Sequence, residues 1–331
     1  YYRLNLTRYL AGKTTAEALP IHPESWYAEH NVQLMRGAEV VAVRVSDQVL
    51  ELTSGEALSY DKLLLATGAH PFIPPFPGGN REGVTALRSL SDANRILEAV
   101  STGAKCVCIG GGILGLETAA ALTQRGADVT LLEGHGWLLP RQLNERAGNV
   151  LAQHAVDRGI KLRRSARTQE IMGEDRVTGV RLEDGEVLEA DIVVVTTGIR
   201  TNSYLARQAG LAVNRGVLVD DMLQTSDPNV FAAGDVAEHR GVVYGTWGPS
   251  QFQGSIAGLN MLGIATEFGG IPRSNTLKVL GVDLFSIGQT NAEDASFRTI
   301  EAAIDGRYAG FVFRDNRLVG AMLLGDTRLA A

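Results

Sequence analysis

Three glycines in the stretch GGGILG, Gly110, Gly112 and Gly115, are spaced as G-x-G-x-x-G, and the acidic Glu133 follows further along the chain. Glycine at these positions permits a tight turn, lets a phosphate approach the backbone, and allows a helix to pack closely on the preceding strand. The phosphate would then meet free N–H groups at the positive end of that helix. A carboxylate such as that of Glu133 accepts hydrogen bonds from ribose hydroxyls and repels a 2′-phosphate. These residues therefore predict a dinucleotide site that favours NADH over NADPH.

The segment around these residues supplies the elements that must position them. Cys106–Ile109 is a short apolar run of strand type, and Leu114–Arg125 has apolar residues at helical spacing. Asp128–Leu132 is a second apolar strand, and Glu133 follows it directly. A purely structural glycine turn is the alternative, but strand, helix, strand and acid together favour nucleotide binding.

Composition limits the class of protein. A chain of 331 residues with 45% hydrophobic residues is long enough for two or three globular domains. The net charge of −6 argues against nucleic acid as a partner. No apolar run approaches the roughly 18 residues of a transmembrane helix, so no membrane association is expected. The two cysteines, Cys106 and Cys108, share one face of a strand and lie too close to pair, which favours a reducing compartment, the cytoplasm.

The order of apolar patterns predicts an α/β fold with parallel sheets covered by helices. The prolines between His70 and Gly79 indicate a linker. From Leu277 onward, short strands and turns predict a small β-rich C-terminal domain. Predicted helices are Glu24–His30, Leu143–Arg158 and Gln251–Leu262; predicted strands are Val32–Val45, Val49–Leu52, Tyr60–Thr67, Ile160–Arg163, Arg176–Leu182, Val187–Ala190, Ile192–Thr197, Gly216–Val219 and Asn229–Ala232.

Four further stretches resemble one family. They are LLLATGAHPFIPP at 63–75, VVVTTGIRTN at 193–202, TSDPNVFAAGDVAE at 225–238 and YYRLNLTRYL at 1–10. Together with the glycine fingerprint they are similar to the two-dinucleotide flavoprotein reductases, also called pyridine nucleotide-disulfide oxidoreductases. The nearest branches are the rubredoxin reductases and the flavin domain of NAD(P)H nitrite reductase large subunits. The stretch LKVLGVDLFSIG at 277–288 resembles the nitrite reductase branch most.

The resemblance implies two Rossmann-like dinucleotide-binding domains and a small β-rich C-terminal domain. Residues 1–80 would form the first part of an FAD-binding domain, 81–200 an NAD-binding domain, 201–268 the second FAD part, and 269–331 the C-terminal domain. The family has another glycine fingerprint, which binds the FAD pyrophosphate, upstream of the segment that corresponds to 1–10. Only one such fingerprint occurs in this chain, so we expect its FAD domain to be N-terminally incomplete.

The resemblance also implies the cofactors FAD and NAD(H) and the residues that bind them. Asp235 would accept a hydrogen bond from the ribityl chain of FAD, with capping of the next turn as the alternative. The helix that begins in TWGPSQFQG would face the flavin pyrimidine edge, with an ordinary helix cap as the alternative. The cofactor-binding residues implied in addition to the fingerprint and Glu133 are Thr67, Gly68, Gly198, Gly234, Asp235, Trp247 and Gly248.

Two charged residues are the catalytic candidates. Arg8 lies in the triplet Leu6–Thr7–Arg8, where relatives carry a lysine, and Glu117 lies two residues after the fingerprint, where the family has a partner carboxylate. The resemblance implies an Arg8–Glu117 ion pair beside the flavin N5. An exposed arginine and an unpaired helix glutamate are the alternative.

The resemblance predicts a flavin-dependent NADH:acceptor oxidoreductase. The family's thiol-using members carry a redox cysteine in the segment aligned with Leu4–Ala18, and this chain has none there. Electrons would therefore pass from the flavin to a rubredoxin, iron–sulfur or sirohaem acceptor of the nitrite reductase type, either a separate protein or a downstream domain. The six histidines show no metal-ligand spacing, so no metal site is predicted. A homodimer remains open, a nucleotide-sensing binding protein with little turnover is the alternative, and a thiol-type NADH oxidase or peroxidase is disfavoured.

Overall fold

The structure is a computed structural model that describes residues 1–271, 274–292 and 294–330. Its helices, within these residues, are α1 Leu6–Leu10, α2 Glu24–Glu29, α3 Leu90–Ala99, α4 Ile113–Gln124, α5 Glu145–Val156, α6 Tyr204–Gln208 and α7 Trp247–Met261. Its strands are β1 Val40–Arg44, β2 Val49–Leu52, β3 Ala57–Ser59, β4 Leu63–Leu65, β5 Ala69–Pro71, β6 Val84–Ala86, β7 Lys105–Ile109, β8 Asp128–Leu132, β9 Lys161–Arg163, β10 Thr168–Gly173, β11 Val177–Leu182, β12 Val187–Glu189, β13 Ile192–Val195, β14 Ile199–Thr201, β15 Val217–Val219, β16 Val230–Ala232, β17 Ala237–His239, β18 Ser274–Val279, β19 Val282–Gly288, β20 Phe297–Ile304, β21 Arg307–Arg314 and β22 Arg317–Leu324.

The chain divides into two compact units. The first unit consists of residues 1–20, 71–198 and the described residues from 274 on. The second consists of residues 21–70 and 199–271. The four-part domain division drawn from the sequence stays a prediction.

The first unit is built on a five-stranded parallel sheet of order β6-β13-β7-β8-β9. Strand β7 lies at its centre, and Cys106–Ile109 are all buried because both faces of the sheet are covered. Cys106 and Cys108 pack in the cluster that contains the helices α3, α4 and α5, whereas Val107 and Ile109 pack in the cluster that contains the antiparallel sheet β10-β11-β12. Helix α4 connects β7 to β8 and buries Leu116, Ala119 and Leu122. This is the βαβ unit predicted from the glycine fingerprint, with its helix beginning one residue earlier.

The C-terminal part of the first unit is a five-stranded antiparallel sheet of order β18-β19-β22-β21-β20. A buried polar network joins it to α5. The side-chain amide of Asn144, the residue that caps α5, donates to the Tyr308 hydroxyl at 2.7 Å and to Glu301 at 3.0 Å. Burial and the hydrogen bond to Glu301 raise the pKa of Tyr308.

The second unit contains the antiparallel sheet β1-β2-β3 and the two-stranded pairs β16-β4, β15-β17 and β14-β5. Strands β4 and β16 run parallel, with Leu65 opposite Ala232. The carboxyl ends of these two strands therefore lie at the same edge, which places the residues that follow them close together.

The predicted α/β class and the β-rich C-terminal domain are confirmed. The prediction of one strand over Val32–Val45 is wrong in its first half, because the strand begins only at Val40. Gly37 adopts a left-handed backbone with φ 69°, which interrupts the extended conformation before the strand. Helix α7 begins at Trp247, four residues before the predicted start at Gln251.

Within the described residues, no helix has the length and apolarity needed to span a membrane.

Candidate functional site

The turn after β7 has the geometry that its glycines predict. Gly110 has φ 112°, a backbone that other residues rarely adopt. A Cβ on Gly115 would lie 1.9 Å from the carbonyl oxygen of Gly110, so only glycine allows α4 to pack this closely. A Cβ on Gly112, by contrast, would meet no heavy atom of the described residues within 4 Å. The turn thus leaves open space at the start of α4, and no side chain caps that helix.

Glu133 directs its carboxylate back onto this turn. Its Oε2 accepts a hydrogen bond from the backbone N–H of Gly111 at 3.1 Å. Its Oε1 accepts from both the backbone N–H and the Nδ1 of His135, each at 2.8 Å. A Cβ on Gly111 would lie 2.6 Å from Oε2, so the middle glycine of GGG is needed for this contact. Glycine turn and carboxylate therefore form one cluster at the carboxyl ends of β7 and β8.

The neighbouring strand β13 contributes two residues to the same edge of the sheet. The Thr196 hydroxyl donates to the carbonyl oxygens of Ile109 and Gly110 at 3.1 and 3.0 Å. Gly198 has φ 128°, and a Cβ added to it would meet no heavy atom of the described residues within 4 Å. Open α/β sheets bind their ligands at the carboxyl ends of the strands. The binding position is next to the central strand, from which the strand order continues in opposite directions. Thr196 was not singled out in the sequence, because a single threonine after a strand carries no distinctive pattern.

In the second unit, Thr67 and Gly68 follow β4 and are tied to Asn202. The Thr67 hydroxyl donates to the carbonyl oxygen of Asn202 at 2.9 Å, and the Asn202 side-chain amide donates to the Thr67 carbonyl at 2.8 Å. The Asn202 backbone N–H donates to the carbonyl of Gly68, whose φ is 68°. Nδ1 of His70 lies 2.6 Å from the Asn202 Oδ1. Asn202 therefore fixes the conformation of the segment from Thr67 to His70.

Gly234 and Asp235 follow β16 at the same edge as Thr67 and Gly68. Gly234 adopts φ 81°, and its N–H donates to Oε1 of Gln253 at 2.8 Å. Gln253 is fully buried in α7, and its Nε2 has no hydrogen-bond partner among the described residues. A buried donor without a partner is costly, so this amide is a candidate for contact with a ligand. Asp235 is half-buried beside Ser250.

Helix α7 begins beside this turn. Trp247 and Gly248 form its first two positions, and the side chain of Thr246 does not cap it. Pro249 lies in the first turn, where its missing N–H has no partner within the helix to lose. The N-terminal N–H groups of α7 can therefore serve a ligand with partial negative charge.

The predicted ion pair between Arg8 and Glu117 does not form. Arg8 is exposed on α1, and no ion pair of the described residues joins it to Glu117. Instead, Oε1 of Glu117 accepts a hydrogen bond from the backbone N–H of Leu280 at 2.6 Å. Leu280 and Gly281 form the β18–β19 turn with φ 54° and 74°. The carboxylate thus satisfies a partly buried N–H in a turn that is unfavourable for leucine.

This contact leads to a prediction about stability. Glu117→Ala leaves the Leu280 N–H without its acceptor and should lower the free energy of unfolding by about 1–2 kcal/mol. Glu117→Gln keeps a side-chain oxygen that can accept this hydrogen bond, so its free energy of unfolding should fall less than that of Glu117→Ala. Denaturant unfolding of both variants measures the effect. Unchanged stability together with slower NADH oxidation in both variants would contradict the structural role.

The two cysteines belong to the core. Both are free and buried on β7. Burial raises the pKa of Cys106 to about 12 and raises the pKa of Cys108 still more. Because the reactive form of cysteine is the thiolate, these residues are poor nucleophiles at neutral pH.

Comparison with known proteins gives two family matches. Residues 5–256 match the family described as pyridine nucleotide-disulphide oxidoreductase. Residues 274–331 match the rubredoxin NAD+ reductase C-terminal domain.

Individual relatives agree with these matches. The chain is 39% identical over 329 residues to the nitrite reductase [NAD(P)H] of Bacillus subtilis, covering 99% of the chain and 41% of that protein. It is 34% identical over 248 residues to the rubredoxin-NAD(+) reductase of Pseudomonas putida, covering 74% of the chain and 64% of that protein. The crystal structure of NADH:rubredoxin oxidoreductase from Clostridium acetobutylicum superposes with a TM-score of 0.83 at 26% identity, covering 99% of the chain and 83% of that structure. The chain thus spans about two fifths of the length of its nitrite reductase relative.

Proposed function

Because the chain belongs to the pyridine nucleotide-disulphide oxidoreductase family, we propose that it is an FAD-dependent NADH:acceptor oxidoreductase that uses no redox-active disulfide. The match of residues 5–256 to this family confirms the family predicted from the sequence. The observation that carries the proposal is the cluster of the Gly110–Gly115 turn and the Glu133 carboxylate, held together by the Gly111 N–H. This cluster combines a phosphate cradle with a ribose acceptor.

The residues of the first unit fit NADH. The open space at Gly112 and the uncapped start of α4 suit a pyrophosphate. Glu133 lies next to that space. Its Oε1 already accepts two hydrogen bonds from His135, but its Oε2 has a second lone pair, so it can accept from a ribose hydroxyl while keeping its bond to Gly111. Thr196 fixes the turn from the neighbouring strand.

The residues of the second unit fit FAD. The Gly234 turn presents Asp235 beside the start of α7, and the unpaired Nε2 of Gln253 is a buried donor at the same turn. Asp235 would accept a hydrogen bond from the ribityl chain. The first turn of α7, with Trp247 and Gly248, would place positive partial charge near the flavin pyrimidine ring. Thr67, Gly68 and Gly198 would complete the nucleotide-binding edges of the two units.

Bound FAD would supply a hydride acceptor for NADH and a donor of single electrons for the next carrier. The chain's own residues bind and orient the two nucleotides, and Asp235 and α7 adjust the charge around the flavin. Cys106 and Cys108 are buried with raised pKa values and take no part in the transfer. The Arg8 side chain is exposed, so it can contact a bound nucleotide. We keep a contact with the bound flavin as its proposed role.

We propose that the electrons leave to a protein carrier or a downstream domain of rubredoxin, iron–sulfur or sirohaem type. The names of the nitrite reductase and rubredoxin reductase relatives support this class of acceptor, as does the match of residues 274–331 to a rubredoxin reductase domain. We place the reaction in the cytoplasm, because the two cysteines are unpaired.

Rapid-mixing absorbance of the purified flavoprotein tests the proposal. NADH should bleach the flavin band within seconds without oxygen, and ferricyanide or oxidised rubredoxin should restore it over repeated cycles. A flavin that NADH reduces only over hours would refute the oxidoreductase assignment and favour a nucleotide-sensing role.

Nucleotide preference gives a second prediction. Glu133→Gln keeps the side-chain shape but removes the negative charge, so kcat/KM for NADH should fall about tenfold while that for NADPH rises. Steady-state kinetics with ferricyanide measure both values. Glu98→Gln, at an exposed glutamate on α3, is the matched control and should keep the wild-type ratio. An unchanged ratio in Glu133→Gln would overturn the ribose role of Glu133.

A further inference from the structure

Gln253 carries a buried amide at the turn after β16. It belongs to the buried side of α7, together with Ile256 and Ala257, and its exposed fraction is 0%. Its Nε2 has no contact with solvent and donates to no acceptor among the described residues. Burial of an amide NH2 group without an acceptor is unfavourable, so this group points to an acceptor that a ligand supplies.

The backbone fixes the orientation of this amide. Oε1 of Gln253 lies 2.8 Å from the backbone nitrogen of Gly234, and a backbone N–H can only donate. The oxygen of the amide must therefore face Gly234, because the opposite orientation would place two donors against each other. The NH2 group is then directed away from Gly234.

The same turn presents a second polar group, the carboxylate of Asp235. Gly234 has a left-handed backbone with φ 81°, and Asp235 is the next residue. Asp235 is half-buried, with the Ser250 hydroxyl 3.5 Å from its Oδ1. The turn therefore combines a group that only donates, the Gln253 NH2, with a group that only accepts, the Asp235 carboxylate.

A hydroxyl group is complementary to this pair of groups. It has one hydrogen to donate and two lone pairs that accept, so one hydroxyl can donate to Asp235 while it accepts from Gln253. A phosphate oxygen suits the pair less well, because it cannot donate to the carboxylate and its negative charge is repelled by Asp235. In FAD, the ribityl chain that we assign to Asp235 supplies such hydroxyls.

We propose that Gln253 binds the ribityl chain of FAD, with its Nε2 donating to a ribityl hydroxyl oxygen and its Oε1 holding the Gly234 turn that presents Asp235. The inference rests on the proposed role of Asp235 in FAD binding. One amide therefore both supports the turn and contacts the flavin. Because the contact is with the ribityl chain, riboflavin, which has no phosphate, depends on Gln253 as FAD does.

Quenching of flavin fluorescence by the flavin-free protein at pH 8 tests the proposal with riboflavin and with FAD. Gln253→Glu keeps an oxygen for the Gly234 N–H but removes the amide donor, whereas Gln253→Met removes both groups. Both variants should bind riboflavin and FAD at least about tenfold more weakly than the wild-type protein. Gln251→Glu, the same change at an exposed position of α7, is the matched control and should keep both affinities.

Nuclear magnetic resonance of the wild-type protein gives a second readout, which does not require a buried glutamate to be tolerated. The side-chain amide resonances of Gln253, assigned by their absence in Gln253→Met, should shift when riboflavin binds, and those of Gln251 should not. Unshifted Gln253 resonances, or wild-type riboflavin affinity in Gln253→Glu, would leave Gln253 as a support of the turn alone and overturn the contact.

The two flavins separate the remaining outcomes. Weaker binding of FAD with unchanged binding of riboflavin in both variants would assign the amide to a phosphate and overturn the ribityl contact. Failure of the wild-type protein to bind either flavin would overturn the proposed function itself.

Discussion

Gly115→Val is expected to abolish nicotinamide nucleotide binding and to lower the free energy of unfolding by roughly 3 kcal/mol. A Cβ at this position lies 1.9 Å from the Gly110 carbonyl and 2.7 Å from Oγ1 of Thr196. Because the nearest of these atoms is backbone, α4 must move away from β7 to admit the side chain. That movement opens the turn that we propose as the pyrophosphate site. Calorimetric titration with NADH and denaturant unfolding measure the two losses.

Substitutions at two other glycines distinguish a loss of nucleotide binding from a loss of helix packing. Gly112→Val adds a side chain to open space, so it should leave stability nearly unchanged while blocking the approach of the phosphate. Gly258→Val lies in α7, where an added Cβ meets no described atom within 4 Å, and should change neither property. Nucleotide affinity in Gly115→Val equal to that of wild type would refute the close-packing explanation. Normal affinity in Gly112→Val would instead place the pyrophosphate elsewhere.

The local parts of the fold were predictable because they depend on short-range patterns. The βαβ unit around the glycine turn was placed to within a residue or two, since its strands are continuous apolar runs and the glycine motif marks where its helix begins. Helix α5 was predicted as Leu143–Arg158 and observed as Glu145–Val156, with Asn144 as its cap. The stretch before Val40 was misassigned, because alternating residues alone could not reveal the left-handed turn at Gly37.

The contacts within the site were predictable from the sequence only where the contacting residues belong to a known motif. The glycines and Glu133 belong to a motif, and the structure brings them together. Glu117 bonds to Leu280, which is 163 residues away, and nothing in either local sequence specifies that pair. His135 and Gln253 were missed for a similar reason, because a lone histidine in a loop and a lone glutamine in a helix are common. Their significance appears only when the fold places them beside Glu133 and Gly234.

Asp235→Ala is expected to weaken FAD binding by roughly 10- to 100-fold, the value of a hydrogen bond to a charged group. Asp235 follows β16 at the carboxyl edge that it shares with the Thr67–Gly68 segment. The left-handed backbone of Gly234, with its N–H held by Gln253, directs the chain so that the carboxylate is presented at this edge. The ratio of flavin to protein absorbance after purification, and the dissociation constant from ultrafiltration with added FAD, measure the loss.

Asp61→Ala is the matched control for this prediction. Asp61 is an exposed aspartate that precedes β4, so it lies at the opposite, amino edge of the same strand pair. Removing its carboxylate should leave the FAD content unchanged, because nucleotides bind at the carboxyl edge of parallel strands. Asp235→Asn keeps an acceptor oxygen but has no charge, so its affinity for FAD should be intermediate between those of the wild-type protein and Asp235→Ala. If Asp235→Ala retained wild-type FAD affinity while its unfolding free energy fell, the residue would act only as a cap of the turn after β16.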